Sequence, residues 1–370
     1  MKKYEVAVYY FPQWHPEPDA ANKRQRDPNW TEWDVLKCAK PRFPGHQQPK
    51  VPLWGYTDEA QPSVMEQKID AAADHGVDVF LFDWYWADGG TILRRCLDEG
   101  YLGAKNNDRV KFALMWCNHD LGSLGLGAVK IETFRAMCDE MIKDYFHLPQ
   151  YWRVDGKPYF SIYQMFSFLE TCGDDAECAK KELDLLRQKA RDAGIGEIHI
   201  NAVDYGVRQI PQKFCTTKEE KNTLLDYLGV DSVTSYVWIH HTIIPNFPDY
   251  PYADYMETAL NVEKEKSAYY DIPYHPHASM GWDSSPRTDQ SKPFAQGVYP
   301  NSPVLVDNTP ELFREALIKL KAQLDAGMHK APIITINSWN EWGEGSYIEP
   351  DTINGFGYLE AIRDVFGAEE

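Results

Sequence analysis

Two glutamates near the C-terminus have the spacing and surroundings of a pair that could cleave glycosidic bonds. Glu341 and Glu344 lie three residues apart in the segment INSWNEWGEGSYIEPD, with Trp342 between them and Gly343 and Gly345 beside Glu344. Cleavage requires one carboxyl group that is protonated and another that is ionised, both close to one anomeric centre. A helical turn would place the two side chains about 5–6 Å apart, whereas an extended backbone would separate them by about 10 Å. Spacing alone therefore leaves the stereochemistry open.

Tryptophans and polar residues accompany these glutamates. Eleven of the twelve tryptophans follow short apolar runs or lie between residues 12 and 61, and only Trp152 does not. An aromatic ring packs on the apolar face of a sugar, while polar neighbours bind its hydroxyl groups. The alternative is that several of these rings only pack the mouth of the fold. We expect substrate contacts from Tyr9, Tyr10, Trp14, His15, Glu32, Trp33, Asp83, Trp84, Trp116, Asn118, Tyr205, Trp238, His240, Trp282, Asn340 and Trp342.

Eight apolar runs supply the strands that would position these side chains. Each run is short and rich in Val, Ile, Phe and Tyr, which is typical of strands that are buried on both faces. The runs cover residues 4–11, 77–84, 110–117, 158–164, 197–204, 231–239, 272–280 and 332–339.

Helical patterns lie between the runs. Residues 91–102 show a weaker pattern, whereas apolar residues recur clearly at helical spacing in residues 63–75, 131–146, 175–192, 218–228, 252–267, 310–326 and 357–366. Alternating strands and helices predict an α/β fold, a single (β/α)8 barrel of the TIM type over residues 1–370. A doubly wound sheet is the alternative, but eight units and the lack of a Gly-rich phosphate loop argue against it.

Two long loops follow the first and seventh predicted strands, at residues 12–61 and 281–309. Both belong to the face on which barrel enzymes build their active sites, and loops of this length are usually functional. Strand one neighbours strand eight in a closed barrel, so the first loop must emerge beside Glu341 and Glu344. We therefore predict that Trp14 and Trp33 form a stacking platform for the sugar next to the scissile bond.

The composition of the chain argues against nucleic acid and membranes as binding partners. The chain has 56 acidic and 38 basic residues and a formal net charge of −18, which repels nucleic acid and anionic membranes. No run approaches the ~20 apolar residues that cross a bilayer, and the N-terminus has no signal-peptide pattern. If Met1 is the natural start, we expect a cytoplasmic protein. The expected partner is an oligosaccharide or polysaccharide, with no nucleic acid and no membrane span.

Cysteines and histidines are weak candidates for special chemistry. The seven cysteines are scattered without a CxxC motif, so we expect free thiols, although Cys172 and Cys178 could form a disulfide in an oxidising compartment. His275 and His277 alternate on strand seven and could bind a metal if both point into the barrel. We favour packing or substrate hydrogen bonding for this pair, and expect neither a metal nor another cofactor.

Three segments together resemble a known family. YYFPQWHPEPDAAN, TEWDVLKCAKPRFPGHQQP and INSWNEWGEGSYIEPD are similar to the glycoside hydrolase family 99-like proteins, which are often labelled WbsX-type glycosyltransferases. The resemblance runs from Tyr9 to about Asp351. It implies a (β/α)8 barrel and chemistry on glycans.

The resemblance also implies roles for the glutamates. In the more distantly related family 99 endo-α-mannosidases, an E-W-x-E motif after the last strand supplies both catalytic carboxylates. By that likeness, Glu341 is the base that assists attack by the 2-hydroxyl group of the sugar, and Glu344 is the general acid. Tyr9 or Tyr10 would belong to the same site. Gly343 stands where those hydrolases commonly have His, so the sugar specificity is not carried over.

Three functions fit these features. We expect first a retaining hydrolase that cleaves an α-linked glycan without a metal. A glycosyltransferase of polysaccharide biosynthesis is the second reading, but such enzymes usually bind sugar nucleotides through a Rossmann-like fold with basic or metal-bound groups. The third is a glycan-binding barrel without activity, which would keep the tryptophans but would not need the two glutamates.

Overall fold

Eight parallel strands surround a common axis and follow one another in chain order. The computed structural model describes residues 3–18, 27–119 and 127–367. Each strand is hydrogen-bonded to its chain neighbours, and Ala7, for example, pairs with Val79 on one side and with Thr335 on the other. The strands are β1 Glu5–Tyr10, β2 Val79–Ala87, β3 Lys111–Trp116, β4 Lys157–Ile162, β5 His199–Val203, β6 Ser232–Thr234, β7 Tyr274–His275 with His277–Ser279, and β8 Ile333–Asn337.

Strand β7 closes the ring although it is divided in two. Its first half, Tyr274–His275, pairs with β6, and its second half, His277–Ser279, pairs with β8. Pro276 stands between the halves and has no N–H group to contribute to a ladder. The backbone oxygen of Pro276 still accepts a hydrogen bond from the Thr335 amide at 3.0 Å. The sheet is therefore a barrel, as the alternation of strands and helices predicts.

Helices cover the outside of the barrel and the loops above it. They are α1 Glu32–Cys38, α2 Pro62–Asp74, α3 Ile131–Glu140, α4 Met165–Thr171, α5 Ala176–Asp192, α6 Asp204–Arg208, α7 Lys218–Leu228, α8 Tyr252–Tyr269, α9 Pro310–Asp325 and α10 Gly357–Phe366. Two π-helical turns, Cys96–Tyr101 and Met141–Tyr145, complete the outer layer, and the second continues α3. No helix in the described ranges is long and apolar enough to cross a membrane.

Several helices begin where the sequence supplies a cap. The side chain of Thr217 accepts a hydrogen bond from the Glu220 amide in a capping box at the start of α7. The carboxylate of Asp175 caps α5 by accepting a hydrogen bond from the Glu177 amide, and Thr309 followed by Pro310 begins α9.

Short strands and 3₁₀ turns lie at the ends of the barrel strands and in the loops between them. Strand β2 extends to Ala87, beyond the predicted run, because its end pairs with the antiparallel strand Gly90–Ile92. The remaining short strands are Arg153–Val154, which pairs with β4, Asp249–Pro251 with Val304–Val306, and Asn340–Glu341 with Ser346–Tyr347. Turns of 3₁₀ helix in the described residues are Trp238–His240, Ser285–Arg287 and Trp342–Glu344.

The interior of the barrel is polar on the side of strands β6, β7 and β8. The hydroxyl groups of Thr234 and Thr335 lie 2.9 Å apart although their strands are not neighbours, so the contact crosses the barrel. His277 Nδ1 lies 2.9 Å from the same Thr335 hydroxyl group. The Tyr9 hydroxyl group donates to the backbone oxygen of Ser235 at 3.0 Å. These contacts join β1, β6, β7 and β8 around the interior.

Candidate active site

A cavity of about 980 Å³ opens at the carboxyl ends of the strands. This is the end at which barrel enzymes carry their active sites. Residues from β2 and from the loops after the other seven strands reach it, so no single segment forms the site. Its polar and aromatic lining includes Phe11, Gln13, Glu32, Asp83, Tyr85, His119, Tyr163, Gln164, Tyr205, Tyr236, His240, Trp282, Arg287, Tyr299, Glu341 and Glu344.

Glu341 and Glu344 lie at the two ends of one tight turn. Asn340–Glu341 and Ser346–Tyr347 pair as a small antiparallel ladder, and the 3₁₀ turn Trp342–Glu344 connects them. The Ser338 hydroxyl oxygen accepts a hydrogen bond from the Glu341 amide at 2.8 Å. The backbone is thus a turn and not an extended strand, and both carboxylates reach the cavity from it.

Arg287 joins the two carboxylates. Its Nη1 lies 2.8 Å from Glu344 Oε1 and its Nη2 lies 3.1 Å from Glu341 Oε2. The Tyr299 hydroxyl group donates a second hydrogen bond to Glu344 Oε1, also at 2.8 Å. Arg287 and Tyr299 both belong to the long loop after β7. Charge-assisted contacts of this kind are stronger than neutral hydrogen bonds, so the loop after β7 fixes the turn after β8.

Burial changes the protonation of the carboxyl groups on this wall. The pKa of Glu341 is raised well above its ordinary value by burial and by the charge of Glu344, against the opposing effect of Arg287. Burial also raises the pKa of Asp83 well above its ordinary value. The Tyr236 hydroxyl group lies 3.0 Å from Asp83 Oδ2 and 3.3 Å from Glu341 Oε1. Glu341 and Asp83 therefore hold their protons more tightly than exposed carboxyl groups do, and a proton affinity adjusted by the surroundings is a feature of acid–base catalysis.

Seven of the residues predicted for the site line the cavity. One comes from β2 itself, and the others come from the loops after β1, β5, β6, β7 and β8. They are Glu32, Asp83, Tyr205, His240, Trp282, Glu341 and Glu344. The ring of Tyr205 stacks on that of His240 with 4.1 Å between their centroids. Burial lowers the pKa of His240 well below its ordinary value, so this imidazole is neutral.

Trp14 and Trp33 do not form the predicted platform. Their rings pack on each other with centroids 4.0 Å apart, and their exposed fractions are 0% and 2%. The indole N–H of Trp33 donates to the backbone oxygen of Thr57 at 2.8 Å, which ties two parts of the first long loop together. This corrects the expectation, because the two rings stabilise the loop from within and are absent from the cavity lining. Residues 19–26 of this loop lie outside the described part of the chain.

Tyr9, Tyr10 and Asn340 lie next to the cavity but do not line it. The ring of Tyr9 packs under Tyr236, with 4.7 Å between the centroids. Tyr10 donates its hydroxyl proton to Glu59 at 2.8 Å, on the outer side of β1. The Asn340 side chain donates to the same carboxylate at 3.0 Å and accepts from the Phe11 amide at 2.8 Å. These three residues support the walls.

Other predicted aromatic contacts are also structural. Trp84 packs edge-on against Trp86 and Tyr145, and Trp116 packs against Phe134.

The indole N–H groups of two further tryptophans are satisfied within the protein. Trp238 donates to the backbone oxygen of His277 at 3.0 Å. Trp342 donates to Glu349 at 2.8 Å and stacks on Tyr347 at 3.7 Å between centroids. Both side chains are fully buried, so they have no free surface for a sugar.

Asn118 and His15 are likewise buried. Asn118 exchanges two hydrogen bonds with the backbone of Gln164, at 2.7 and 2.8 Å, and so positions a neighbour that does line the cavity. The ring of His15 lies 3.4 Å from a carboxylate oxygen of Glu17.

The histidine pair on β7 packs inside the barrel. Burial lowers the pKa of His275 and that of His277 to about 3, so both rings are neutral. His277 Nε2 lies 3.1 Å from the Ser279 hydroxyl group. No group of three or more His, Cys, Asp or Glu side chains in the described residues could hold a metal ion. All seven cysteines are free thiols.

Arg287, Tyr236 and Tyr299 are site residues that the sequence reasoning did not identify. Arg287 is the one arginine in residues 281–309, a loop already assigned to the active-site face. The single arginine in this loop is the feature of the sequence that could have indicated a partner for the two glutamates. Tyr236 lay within a predicted strand, and nothing in the sequence distinguishes Tyr299 from its neighbours.

Several solved structures have a similar fold. A protein described as glycoside hydrolase-like matches with a TM-score of 0.63 and 17% identity, over 100% of this chain and 95% of the other. The GH99 endo-α-mannosidase of Bacteroides thetaiotaomicron matches with a TM-score of 0.58 and 15% identity, over 97% and 96% of the two chains. A second structure of that enzyme, in complex with bis-tris-propane, matches with a TM-score of 0.55 and 16% identity, over 97% and 95%. At these identities the likeness shows the barrel fold.

The sequence was compared with curated proteins and with models of protein families. The uncharacterised protein WxcX from two strains of Xanthomonas campestris pv. campestris, B100 and ATCC 33913, is 26% identical over 369 residues, which is 97% of this chain. The chain spans about half the length of these curated relatives, 49% of each. The family model described as glycosyltransferase WbsX matches residues 6–362. The chain therefore belongs to the WbsX glycosyltransferase family.

Proposed function

We propose that this barrel is a glycoside hydrolase that cleaves an α-linked glycan, with Glu341 and Glu344 as its catalytic carboxyl pair. The observation that carries the proposal is the placement of both side chains on one turn in the wall of a large cavity. Both are nearly buried, with exposed fractions of 4% and 8%. Two carboxyl groups that share a wall of this kind are the apparatus of glycosidic cleavage.

The charge of the cavity favours hydrolysis over transfer from a sugar nucleotide. Its described lining carries the carboxyl groups of Glu32, Asp83, Glu170, Glu341 and Glu344. The one arginine or lysine in that lining already pairs with two of them. A nucleotide diphosphate is usually bound by basic side chains, a Gly-rich loop or a metal. A neutral saccharide needs none of these, so it suits this cavity better.

The mechanism we propose is retaining, as in the endo-mannosidases that the motif resembles. Glu341 would act as the base that assists attack by the 2-hydroxyl group on the anomeric carbon. Glu344 would donate the proton to the leaving oxygen. Because burial raises the pKa of Glu341, substrate binding must lower that pKa before Glu341 can act as a base. Hydrogen bonds from sugar hydroxyl groups to the carboxylate would act in that direction.

The family description supports a second candidate, a glycosyltransferase of polysaccharide biosynthesis. A third candidate is a barrel that binds glycans without reacting. The three differ in products: a hydrolase releases reducing sugars into water, a transferase lengthens an acceptor and releases a nucleotide, and a binding protein does neither.

The test is a product screen with the purified chain. Substrates are α-mannan, α-glucan, rhamnan and a nucleotide-sugar panel, and the products are separated and identified. We expect a reducing sugar from an α-linked glycan, with bis-tris-propane as an inhibitor because its amines suit an acidic cavity. Glu341→Gln and Glu344→Gln should each lower the rate about 10²–10⁴-fold, whereas Glu360→Gln on the exposed face of α10 should not change it. Nucleotide release with an extended acceptor would establish the transferase instead.

A further inference from the structure

We propose that Arg287 is a positioning residue for the Glu341–Glu344 pair, and that Gly343 is the space that admits its guanidinium group. This inference rests on the proposed function, since it assigns Arg287 a part in the same reaction. Arg287 acts through the two carboxylates. Nothing in the motif that contains the glutamates points to it, because it lies 54 residues earlier in the chain than Glu341.

The turn after β8 is shaped around Arg287. A Cβ atom at Gly343 would lie 2.8 Å from Arg287 Nε and 3.2 Å from its Nη2. Real Cβ atoms essentially never approach a heavy atom within 3.0 Å. A side chain at position 343 would therefore require the Arg287 side chain to shift. The guanidinium group of Arg287 occupies the space that a side chain at position 343 would fill.

The loop after β7 also packs closely against the turn at Gly345, two residues after Gly343. Gly345 has a left-handed backbone with φ of 60°, and a Cβ there would lie 2.6 Å from the Cβ of Asp283. The Asp283 amide donates to the Glu344 backbone oxygen at 2.5 Å. The segment from Asp283 to Arg287 therefore lies directly against the turn that carries both glutamates.

Arg287 is itself held from outside the cavity. The carboxylate of Asp283 accepts from the Ser285 amide at 3.0 Å and lies 2.8 Å from His46 Nε2. Gln48 donates to it at 2.6 Å. These contacts anchor the short helix Ser285–Arg287 to the first long loop. The guanidinium group also lies over the ring of Phe11, 5.5 Å from its centroid.

The position of this charge decides two properties of the pair. One guanidinium group that bonds to both carboxylates fixes their separation, and rigid geometry of this kind supports the chemical step more than binding. Its charge also opposes the repulsion between Glu341 and Glu344 and the further negative charge of Glu32 and Asp83, which surround Glu341. Tyr299 is the remaining titratable group that bonds to Arg287. Without Arg287, the carboxyl group that must be ionised would hold its proton to higher pH.

The experiment separates geometry from charge. Arg287→Ala should lower kcat by about 10²–10³-fold with little change in KM, and move the acid limb of the pH–rate profile upward by about 1–3 units. Arg287→Lys keeps the charge but loses the two-point contact, so kcat should fall while the acid limb stays in place. Gly343→Ala should lower kcat, and in the Arg287→Ala background it should add almost nothing.

Matched controls exclude a general effect on folding. Gly297→Ala lies on the same long loop and would meet only Asn301 Cβ at 3.4 Å, so its activity should match the wild type. Arg314→Gln removes an exposed arginine that pairs with Asp364, and should also be neutral. Thermal unfolding of every variant checks that the fold persists.

A measurement without substrate keeps this inference separate from the proposed function. An infrared pH titration, with the Glu341 band assigned by its loss in Glu341→Gln, should show a higher pKa for Glu341 in Arg287→Ala than in the wild type. If the wild-type chain cleaves no saccharide, the proposed function fails, and the titration alone decides whether Arg287 controls the pair. An unchanged Glu341 titration overturns the proposal, as does additive loss in the double variant.

Discussion

Glu341 and Glu344 stand on one turn but have different partners. Glu344 Oε1 accepts hydrogen bonds from both Arg287 and Tyr299. Glu341 pairs with Arg287 at the longer distance of 3.1 Å and lies near the Tyr236 hydroxyl group. Unequal surroundings are what allow two residues of the same type to take the roles of acid and base.

The two roles should separate when the leaving group is varied. An aryl leaving group departs as a stable anion and needs no proton, so loss of the general acid matters less. Glu344→Gln should therefore keep most of its activity on an aryl glycoside and lose about 10²–10⁴-fold on the natural linkage. Glu341→Gln should lose activity on both, as measured by initial rates. The reverse pattern would exchange the two assignments.

The glutamate pair could be predicted from the sequence, whereas its surroundings could not. Glu341 and Glu344 are local in sequence and follow an apolar run, so their position after β8 is visible in the pattern. Arg287 reaches them only because two loops fold against each other. The exposed direction of a tryptophan is also set by tertiary packing, which is why Trp14 and Trp33 were expected in the cavity.

The packing of helix α1 explains why the first long loop is rich in aromatic residues. Its short helix α1 places Trp33 between Trp14 and Tyr56, and within 6.2 Å of Trp342 between ring centroids. The loop is thereby packed against the turn that carries the glutamates. Its rings take part in the architecture of the cavity wall behind the surface that a sugar would touch.

Replacing Trp33 should therefore affect stability more than binding. Trp33→Ala removes a ring that is 2% exposed and should lower the free energy of unfolding by about 3–5 kcal/mol. Substrate affinity should change little in the protein that remains folded. Trp282→Ala is the matched comparison, because this ring lines the cavity and its loss should weaken binding. Urea unfolding and substrate titration measure the two effects, and a stable Trp33→Ala with weak binding would restore the platform.

A buried charge cluster anchors the turn after β8 to helix α2. Lys68 on α2 pairs with Glu59 and, at 2.7 Å, with Glu349, and the exposed fraction of all three is 2% or less. Glu59 also accepts from Asn340, and Glu349 from Trp342. The residues on either side of Glu341 are thus tied to one buried ammonium group.

Loss of that ammonium group should be costly. Lys68→Met leaves two carboxylates buried without a cation, and should lower the free energy of unfolding by about 3–5 kcal/mol. Lys189→Met is the control, since its 2.6 Å pair with Asp139 lies on the surface and should contribute about 0–1 kcal/mol. Urea denaturation of both variants checks the difference. Equal effects would mean that Lys68 is not needed to balance the two carboxylates.

The elements differ in how well the sequence specifies them. All eight strands and the long helices could be predicted, because their apolar periodicity comes from burial over many residues. Helices α1, α4 and α6 were missed. Each has only five to seven residues, and helices this short depend on tertiary contacts for their stability. Strand β6 is regular over three residues, because the chain beyond Thr234 leaves the sheet to form the cavity wall.

At the scale of the whole molecule, buried histidines make stability depend on pH. Burial lowers the pKa of His199 to about 4, and that of His275 and His277 to about 3. The unfolded chain binds protons at these positions below about pH 6.5, whereas the folded chain does not. Their contribution to stability is therefore present above pH 6.5 and is lost as the pH falls toward 4.

Replacement of His199 isolates this effect from that of the carboxyl groups, whose pKa values are raised at some positions, such as Glu341, and lowered at others, such as Asp283. Between pH about 6.5 and about 4, the free energy of unfolding should lose about 1.4 kcal/mol per pH unit for each buried histidine. His199→Gln, which can keep a hydrogen bond to Ser232, should reduce that slope by one proton. Urea unfolding across this range measures it, and an identical slope in His199→Gln would contradict the assignment.

The division of strand β7 also bears on how Arg287 is aligned with the two glutamates. Its second half, His277–Ser279, pairs with β8 alone and leads directly into the loop that carries Arg287. Strand β8 carries the turn with both glutamates. The cation and the carboxylates are therefore mounted on the same strand pair, on one side of Pro276. The register of His277–Ser279 on β8 therefore sets the alignment of Arg287 with both glutamates.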